Sequence, residues 1–428
     1  MMIFFLFIHL VSTILCDKQL LFVQSMWRHG DRSPTTTFKS DPYRESTWTF
    51  GGGGWGQLSP KGMEQHLGLG KLIRERYITN SSFLSPHYNA KEIYVRSTDV
   101  NRTLISAFSN LLGMYGLPEY QNVANVSYPD VAGWPAGYVP IPIHTVDEHT
   151  DHIGNVGAQC ELRTEAWNLA KQTPEITEYM SRPEIVALMN NLTEYSGQKI
   201  TLDNFWVVSD ALMIERLYNL NNNTWCTDEV YEKITNFSNQ LHLWKNGIFE
   251  NKTIVNGHDI GLILRKAKGG TPLNDVVNHI NLKIRCLKES NDDCLWINNL
   301  KYYAYSVHDT TIYAVLSALL MGDRVITPKG SYPVYSACIL FELYVDDGSY
   351  YFKIHYHHNE NEAFQDVTNE LAGCEKTEYC PLSVIQQFAD DTRPDQPINE
   401  WCESTLTSSS STMPLIGVLT MLVTYLLF

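Results

Sequence analysis

The sequence predicts an α/β fold, with helices on both faces of a sheet and a smaller, mainly helical segment inserted between its two halves. Three observations carry this. Short apolar runs stopped by Gly or Pro alternate with amphipathic stretches at both ends of the chain, the pattern of strands and helices taken in turn. The middle is helical in pattern, with polar loops. At three separated places a predicted strand runs directly into arginine or histidine, at the carboxyl edge where ligands collect in such sheets.

In chain order, Leu20 to Trp27 reads as a buried strand. It runs into Arg28-His29-Gly30-Asp31-Arg32-Ser33-Pro34, where Gly30 and Pro34 stop regular structure. A loop with Gly51 to Gly54 follows. Ser59-Pro60 starts a helix, with Met63, Leu67, Gly70, Ile73 and Tyr77 on one face. Glu92 to Arg96 is a short strand. A second helix begins near Asp99, with Val100, Leu104, Ala107 and Leu111 on one face and Gly113 and Gly116 near its end. Asp99 and Arg102 are expected to cap and brace that helix. Residues 160–258 form the helical insertion, so the α/β body is 17–159 with 259–402. Lys301 to Val307 is a strand with His308-Asp309 at its end, and Thr310 to Met321 is an apolar helix. Cys338 to Val345 and Tyr350 to His357 flank Asp346-Asp347-Gly348-Ser349 as a β-hairpin.

The chain has 428 residues, of which 44% are hydrophobic and 12% aromatic, so it folds and is not disordered. With 32 Lys+Arg against 47 Asp+Glu, its formal charge is −15. That excludes a nucleic-acid binder, which needs a basic face. It also supplies no general field for an anionic substrate, so phosphate chemistry must rest on a few placed cations.

The first 16 residues form an uncharged apolar run that reads as a secretory leader. Asn-x-Ser/Thr acceptors stand at Asn80, Asn101, Asn125, Asn191, Asn222, Asn236 and Asn251. Removing Cys16 with the leader leaves eight of nine cysteines, an even number suited to disulfides. Cys286 and Cys294 lie close enough to close a local loop. At the other end, a polar spacer from Glu403 to Thr412 precedes an apolar tail from Met413 to Phe428. The tail is shorter than the roughly 20 residues of a spanning helix. It fits a GPI-attachment signal, with a short single-pass helix as the alternative. The expected location is the secretory pathway, with the body at the cell surface, outside the cell or in the lysosomal lumen, held to a membrane by this tail.

Hydrolysis of a phosphate monoester needs cations on the phosphoryl oxygens, a nucleophile in line with the leaving oxygen and an acid to protonate it. Arg28 and Arg32 place two guanidinium forks around the His29 imidazole, and such forks bind phosphate oxygens in pairs. Arg96 offers a third fork and His308 a further donor. His29 can form a covalent intermediate, and Asp309 is the natural proton donor. Trp27, just ahead of the loop, either shapes the pocket or packs beneath it. His66, His144, His149, His152 and the run His355-Tyr356-His357-His358 raise the question of a metal, but no carboxylate accompanies them at a useful spacing.

Residues 28–34 match the RHGxRxP signature of the histidine acid phosphatases. Tyr94 to Thr103 resembles that family's second arginine segment, and Ser306 to Thr311 its His-Asp segment. Trp134 with Pro140 to Val146 resembles a stretch of the animal prostatic and lysosomal enzymes. The similarity runs from about Leu20 to Cys402. It implies a phosphoglycerate mutase-like sheet and an acid phosphatase acting through a phosphohistidine. In that reading His29 is the nucleophile, Arg28, Arg32, Arg96 and His308 hold phosphate, and Asp309 is the acid, with no metal or other cofactor. It also implies the bridges Cys160–Cys402, Cys226–Cys338 and Cys374–Cys380. The partners expected are small phosphate monoesters and the membrane at the tail, with a homodimer left open. The rivals are a phytase-like inositol-phosphate phosphatase, for which the cationic count is low, a phosphoglycerate mutase, against which the export signals speak, and a non-catalytic anchored binding protein, against which the intact motif speaks.

Overall fold

A computed structural model describes residues 18–360 and 362–406; the predicted leader and apolar tail lie outside them. The elements, in order, are β1 (Gln19–Arg28), α1 (Pro60–Arg74), β2 (Ile93–Thr98), α2 (Asn101–Leu111) and β3 (His144–Val146), then the helices α3 (Glu161–Ala170), α4 (Pro174–Ser181), α5 (Pro183–Ser196), α6 (Phe205–Leu217) and α7 (Asp228–Lys245). A two-stranded ribbon, β4 (Ile254–Val255) and β5 (His258–Asp259), leads to α8 (Ile260–Arg265) and α9 (Thr271–Cys286). There follow β6 (Tyr302–Val307), α10 (Asp309–Ala318), α11 (Gly322–Val325), β7 (Cys338–Asp346), β8 (Ser349–His357), β9 (Gln365–Asp366), β10 (Cys380–Pro381), α12 (Leu382–Asp391) and α13 (Ile398–Glu403).

The main sheet runs β10-β8-β7-β1-β6-β2-β3, with β9 added beside β8. Its β1, β6, β2 and β3 are mutually parallel, while β7 and β8 form the predicted antiparallel hairpin. Asp347 and Gly348 make the hairpin turn with φ of 44° and 76°, the left-handed pair that a two-residue loop requires. Side chains alternate across the sheet. Met26, Tyr305, Phe341 and Ile354 face the core built with α9, α10 and α12, and Val23, Trp27, Val95 and Ala304 face the one built with α1 and α2. The helices after β1 and β2 thus lie on one face and the helix after β6 on the other. The crevice between β1, β6 and β2 is therefore a topological switch point. Arg28 and Val307 pair at its rim as the last residues of their strands.

Helices α3–α7 gather round a core of their own, in which Phe205, Phe237 and Trp244 are buried. Phe38, Ile260, Leu264 and Trp401 join it, so the packing does not stop at residues 160 and 258. Cys160–Cys402 ties α3 to α13, and Cys286–Cys294 and Cys374–Cys380 close short loops. The expected Cys226–Cys338 bridge is absent, and both thiols are free and buried. Cys338 lies under the sheet opposite Trp27, whereas Cys226 sits in the separate helical core. All seven sequon asparagines are exposed.

The buried faces of α1 and α2 are turned from those the apolar pattern predicts. They carry Gly62, Gln65, His66, Leu69, Gly70 and Ile73 on α1, and Thr103, Ser106, Ala107, Asn110 and Leu111 on α2. The cause is close backbone contact. A Cβ on Gly30 would lie 2.3 Å from the Gly62 carbonyl oxygen, and one on Gly70 would lie 2.0 Å from that of Asn110. Only glycine lets α1 seat against both the 28–34 loop and α2.

Candidate active site

The loop after β1 is held from three sides. Its Gly30 N–H donates to Ser106 Oγ (3.1 Å) on α2, and its Asp31 N–H to Gln65 Oε1 (2.9 Å) on α1. Ser59, the N-cap of α1, donates to Asp31 Oδ2 (2.5 Å), and the Tyr218 hydroxyl donates to the same oxygen. His66 Nε2 lies 2.9 Å from the Arg28 carbonyl oxygen, so it donates there. Trp27 settles beneath the loop: it is fully buried and its indole N–H donates to Ser306 Oγ at 2.8 Å.

His29 Nδ1 stands 2.9 Å from the Gly30 carbonyl oxygen. A carbonyl only accepts, so Nδ1 carries the proton and Nε2 keeps a free lone pair. Burial, then the charges of Arg102, Arg28, Arg32 and the neighbouring His308, hold the imidazole well below its ordinary pKa. The shift favours the neutral, attacking form below the pH at which an ordinary histidine takes up a proton.

Arg28 donates to Asp309 Oδ2 (2.9 Å) and to the Pro333 carbonyl (2.7 Å), with its guanidinium 4.1 Å from the centre of the Tyr335 ring. Arg32 forms a two-pronged pair with Asp210 of α6, at 2.9 and 3.1 Å. Asp309 opens α10, where helix N–H groups favour negative charge. Burial raises its pKa, but Arg28, Arg32 and His308 outweigh burial and hold it below the ordinary value. These cations favour the ionised form of Asp309.

His308, the N-cap of α10, has Nδ1 3.5 Å from an Arg102 nitrogen and Nε2 3.1 Å from Thr98 Oγ1. Arginine only donates, so Nδ1 accepts and Nε2–H donates to the threonine. Burial and Arg102 push its pKa down to about 3, so His308 is a neutral group, not a cation.

One member of the expected set lies apart from the others. Arg96 lies within β2, two residues short of its end, and pairs with Asp151. That carboxylate also accepts from the backbone of Ile153 and Gly154, and the Gly154 carbonyl accepts from Thr311 on α10. Arg96 thus braces the wall beside Asp309 and does not reach the pocket. Arg102, expected only to brace α2, takes its place. It stands beside His308, shifts both histidines and has no carboxylate partner among the described residues. Burial and Arg32 lower its pKa to about 10. Its position at the amino end of a helix, after a strand that ends at the crevice, was the available signal. Asp210 was missed because nothing in the local sequence links α6 to a loop 178 residues earlier.

Several histidines outside this cluster have partners of their own. His355 meets Arg76 at 2.9 Å and Glu342 at 3.5 Å, and His144 stacks on Tyr94. A cavity of about 650 Å³ lined by Tyr94, Trp296 and Tyr303 lies at the amino ends of β2 and β6, away from His29.

Comparison with known proteins agrees with this geometry. The family model of the histidine phosphatase superfamily (branch 2) matches residues 19–357. The human prostatic acid phosphatase is 31% identical over 413 residues, covering 95% of this chain and 93% of that protein. The lysosomal acid phosphatase of Xenopus laevis is 31% identical over 403 residues, covering 92% of this chain and 80% of that protein. Among solved structures, the Hafnia alvei phytase in its apo form superposes with a TM-score of 0.60 at 15% identity, covering 90% of this chain and 98% of that one. It speaks for the fold alone.

Proposed function

The chain belongs to the histidine phosphatase superfamily (branch 2), and from that premise we propose how its residues carry out acid phosphatase chemistry. The enzyme hydrolyses phosphate monoesters through a phosphohistidine. The single observation that carries the assignment of roles is the free Nε2 of His29, fixed by the Nδ1–H bond to Gly30 and surrounded by Arg28, Arg32 and Arg102.

Substrate phosphoryl oxygens take the forks of these arginines, which stabilise charge as it moves. Nε2 attacks phosphorus; the new N–P bond forms as the P–O bond to the leaving group breaks. The leaving oxygen receives a proton from the Asp309 carboxyl, so Asp309 must first gain a proton against the pull of Arg28 and Arg32. Asp309 then takes a proton from water as that water attacks phosphorus. Inorganic phosphate leaves and His29 returns to its starting state. His308 orients Arg102 by accepting at Nδ1, while its Nε2–H is held by Thr98.

The test is an acid quench with phosphate-labelled substrate. Label on His29 in the wild type, and neither label nor turnover in a folded His29→Ala variant, is the expected result. Turnover by that variant overturns the mechanism.

The lysosomal and prostatic relatives point to the secretory pathway or the lysosome. No helix among the described residues is long and apolar enough to cross a membrane. The seven exposed sequons and the apolar stretches at 1–16 and 413–428 support a glycosylated, exported enzyme anchored through its tail. Phospholipase release of activity from cell surfaces tests the GPI form.

A further inference from the structure

We propose that Asp210 sets the charge of the phosphate group that the site accepts: one phosphoryl group that carries, or binds together with, one proton. The proposal rests on the phosphate site at His29 described above and names its substrate class.

Asp210 enters the pocket from α6, an element with its own core. Its two oxygens occupy the Arg32 fork at 2.9 and 3.1 Å, in the geometry a phosphate would use. The pair is largely shielded, with side-chain exposures of 8% and 16%. The groups that face Asp210 from neighbouring elements are Arg32 on the loop, Arg102 on α2 and Tyr335 before β7. On its own helix, Glu215 is turned away, sharing Asn223 with Asp41.

The charges in the pocket can then be counted. The guanidiniums of Arg28, Arg32 and Arg102 stand against the carboxylates of Asp210 and Asp309, with both histidines neutral. One positive charge is in excess. A phosphate monoanion cancels it. A dianion leaves an uncompensated negative charge in a shielded site, which is costly, unless Asp309 takes up a proton. Both routes reach the same state: a bound phosphate together with one mobile proton, the proton the leaving oxygen needs. Without Asp210 the pocket would be neutral with a bare dianion, and the proton would no longer come with the substrate. A second phosphate on the substrate would add negative charge that the remaining groups do not offset. The chain's formal charge of −15 offers no wider field to hold it.

Inhibition by inorganic phosphate at a series of pH values tests this. Above its second ionisation, which for inorganic phosphate lies just above neutrality, free phosphate is dianionic. Wild-type Ki should then rise about tenfold per pH unit, because binding takes up one proton. In Asp210→Asn the rise should fall to about twofold or less per unit. Turnover of inositol hexakisphosphate relative to nitrophenyl phosphate should increase in the variant. An unchanged slope in a folded Asp210→Asn or Asp210→Ser protein overturns the proposal. So does a flat wild-type slope, which needs no variant. Failure of the underlying reading shows elsewhere, as absence of label on His29 after acid quench.

Discussion

Replacing Arg102 by Ala, with Arg96→Ala as its counterpart, separates a residue that holds substrate from one that holds the fold. Arg102 is the pocket arginine with no carboxylate partner among the described residues, and it lies against His308. Its loss removes at least one charge-assisted hydrogen bond to phosphate, about 1.5–3 kcal/mol, or about tenfold to 150-fold in kcat/KM. Ki for inorganic phosphate should rise with it, while thermal stability holds or improves, since a buried cation facing Arg32 is relieved. The Arg102→Lys variant should recover only part of the activity, because lysine lacks the planar fork. Arg96→Ala should do the reverse. The Asp151 side chain is 0% exposed and would lose its cation, at a cost of about 3 kcal/mol. Phosphate inhibition and calorimetric unfolding, measured on both variants, form the assay. If Arg96→Ala weakens phosphate binding at unchanged stability while Arg102→Ala binds phosphate normally, the assignment of these two arginines is wrong.

Three further outcomes are expected. Asp309→Asn should slow alkyl phosphates more than nitrophenyl phosphate, whose leaving group needs little protonation; equal losses would remove Asp309 as the acid. Burial and the nearby Asp41 raise the Glu215 pKa from 4.5 to about 8. The native chain therefore keeps a proton that the unfolded chain gives up, and stability is greatest below the lower value and declines toward the upper one. The decline should be of order 3 kcal/mol between about pH 4.5 and 8, and denaturant titrations of Glu215→Gln should show it flattened. Alkylation of the denatured, unreduced protein should label Cys226 and Cys338 and spare Cys160, Cys402, Cys286, Cys294, Cys374 and Cys380.

What could be read from the sequence was whatever depends on residues close together in the chain. The loop 28–34 carries its chemistry within seven positions, and the strand before it is marked by its own apolar run, so His29, Arg28 and Arg32 could be placed without coordinates. The hairpin around Asp347 and Gly348 is equally local. The choice between Arg96 and Arg102 turned on where β2 ends and which way its alternation points. A strand ending at Thr98 puts Arg96 on the side wall and leaves Arg102 to open onto the crevice. The rotated faces of α1 and α2 escaped an apolar count because their buried residues include His66, Gln65 and Ser106, polar groups that hold the loop, and Thr103, which bonds back to the end of β2. Asp210 and the free pair Cys226 and Cys338 depend on how distant segments meet.

The Cys160–Cys402 bond also bears on wear by proteases. It joins residues 242 apart, so the chain between them is a closed ring with His29 on the arm that enters it. A protease that nicks one loop in that ring opens the circle without releasing a piece. Asp210 and Asp309 both lie within it and stay covalently connected to His29 after a single cut. A clipped enzyme should therefore run as two bands only after reduction, and keep working before it.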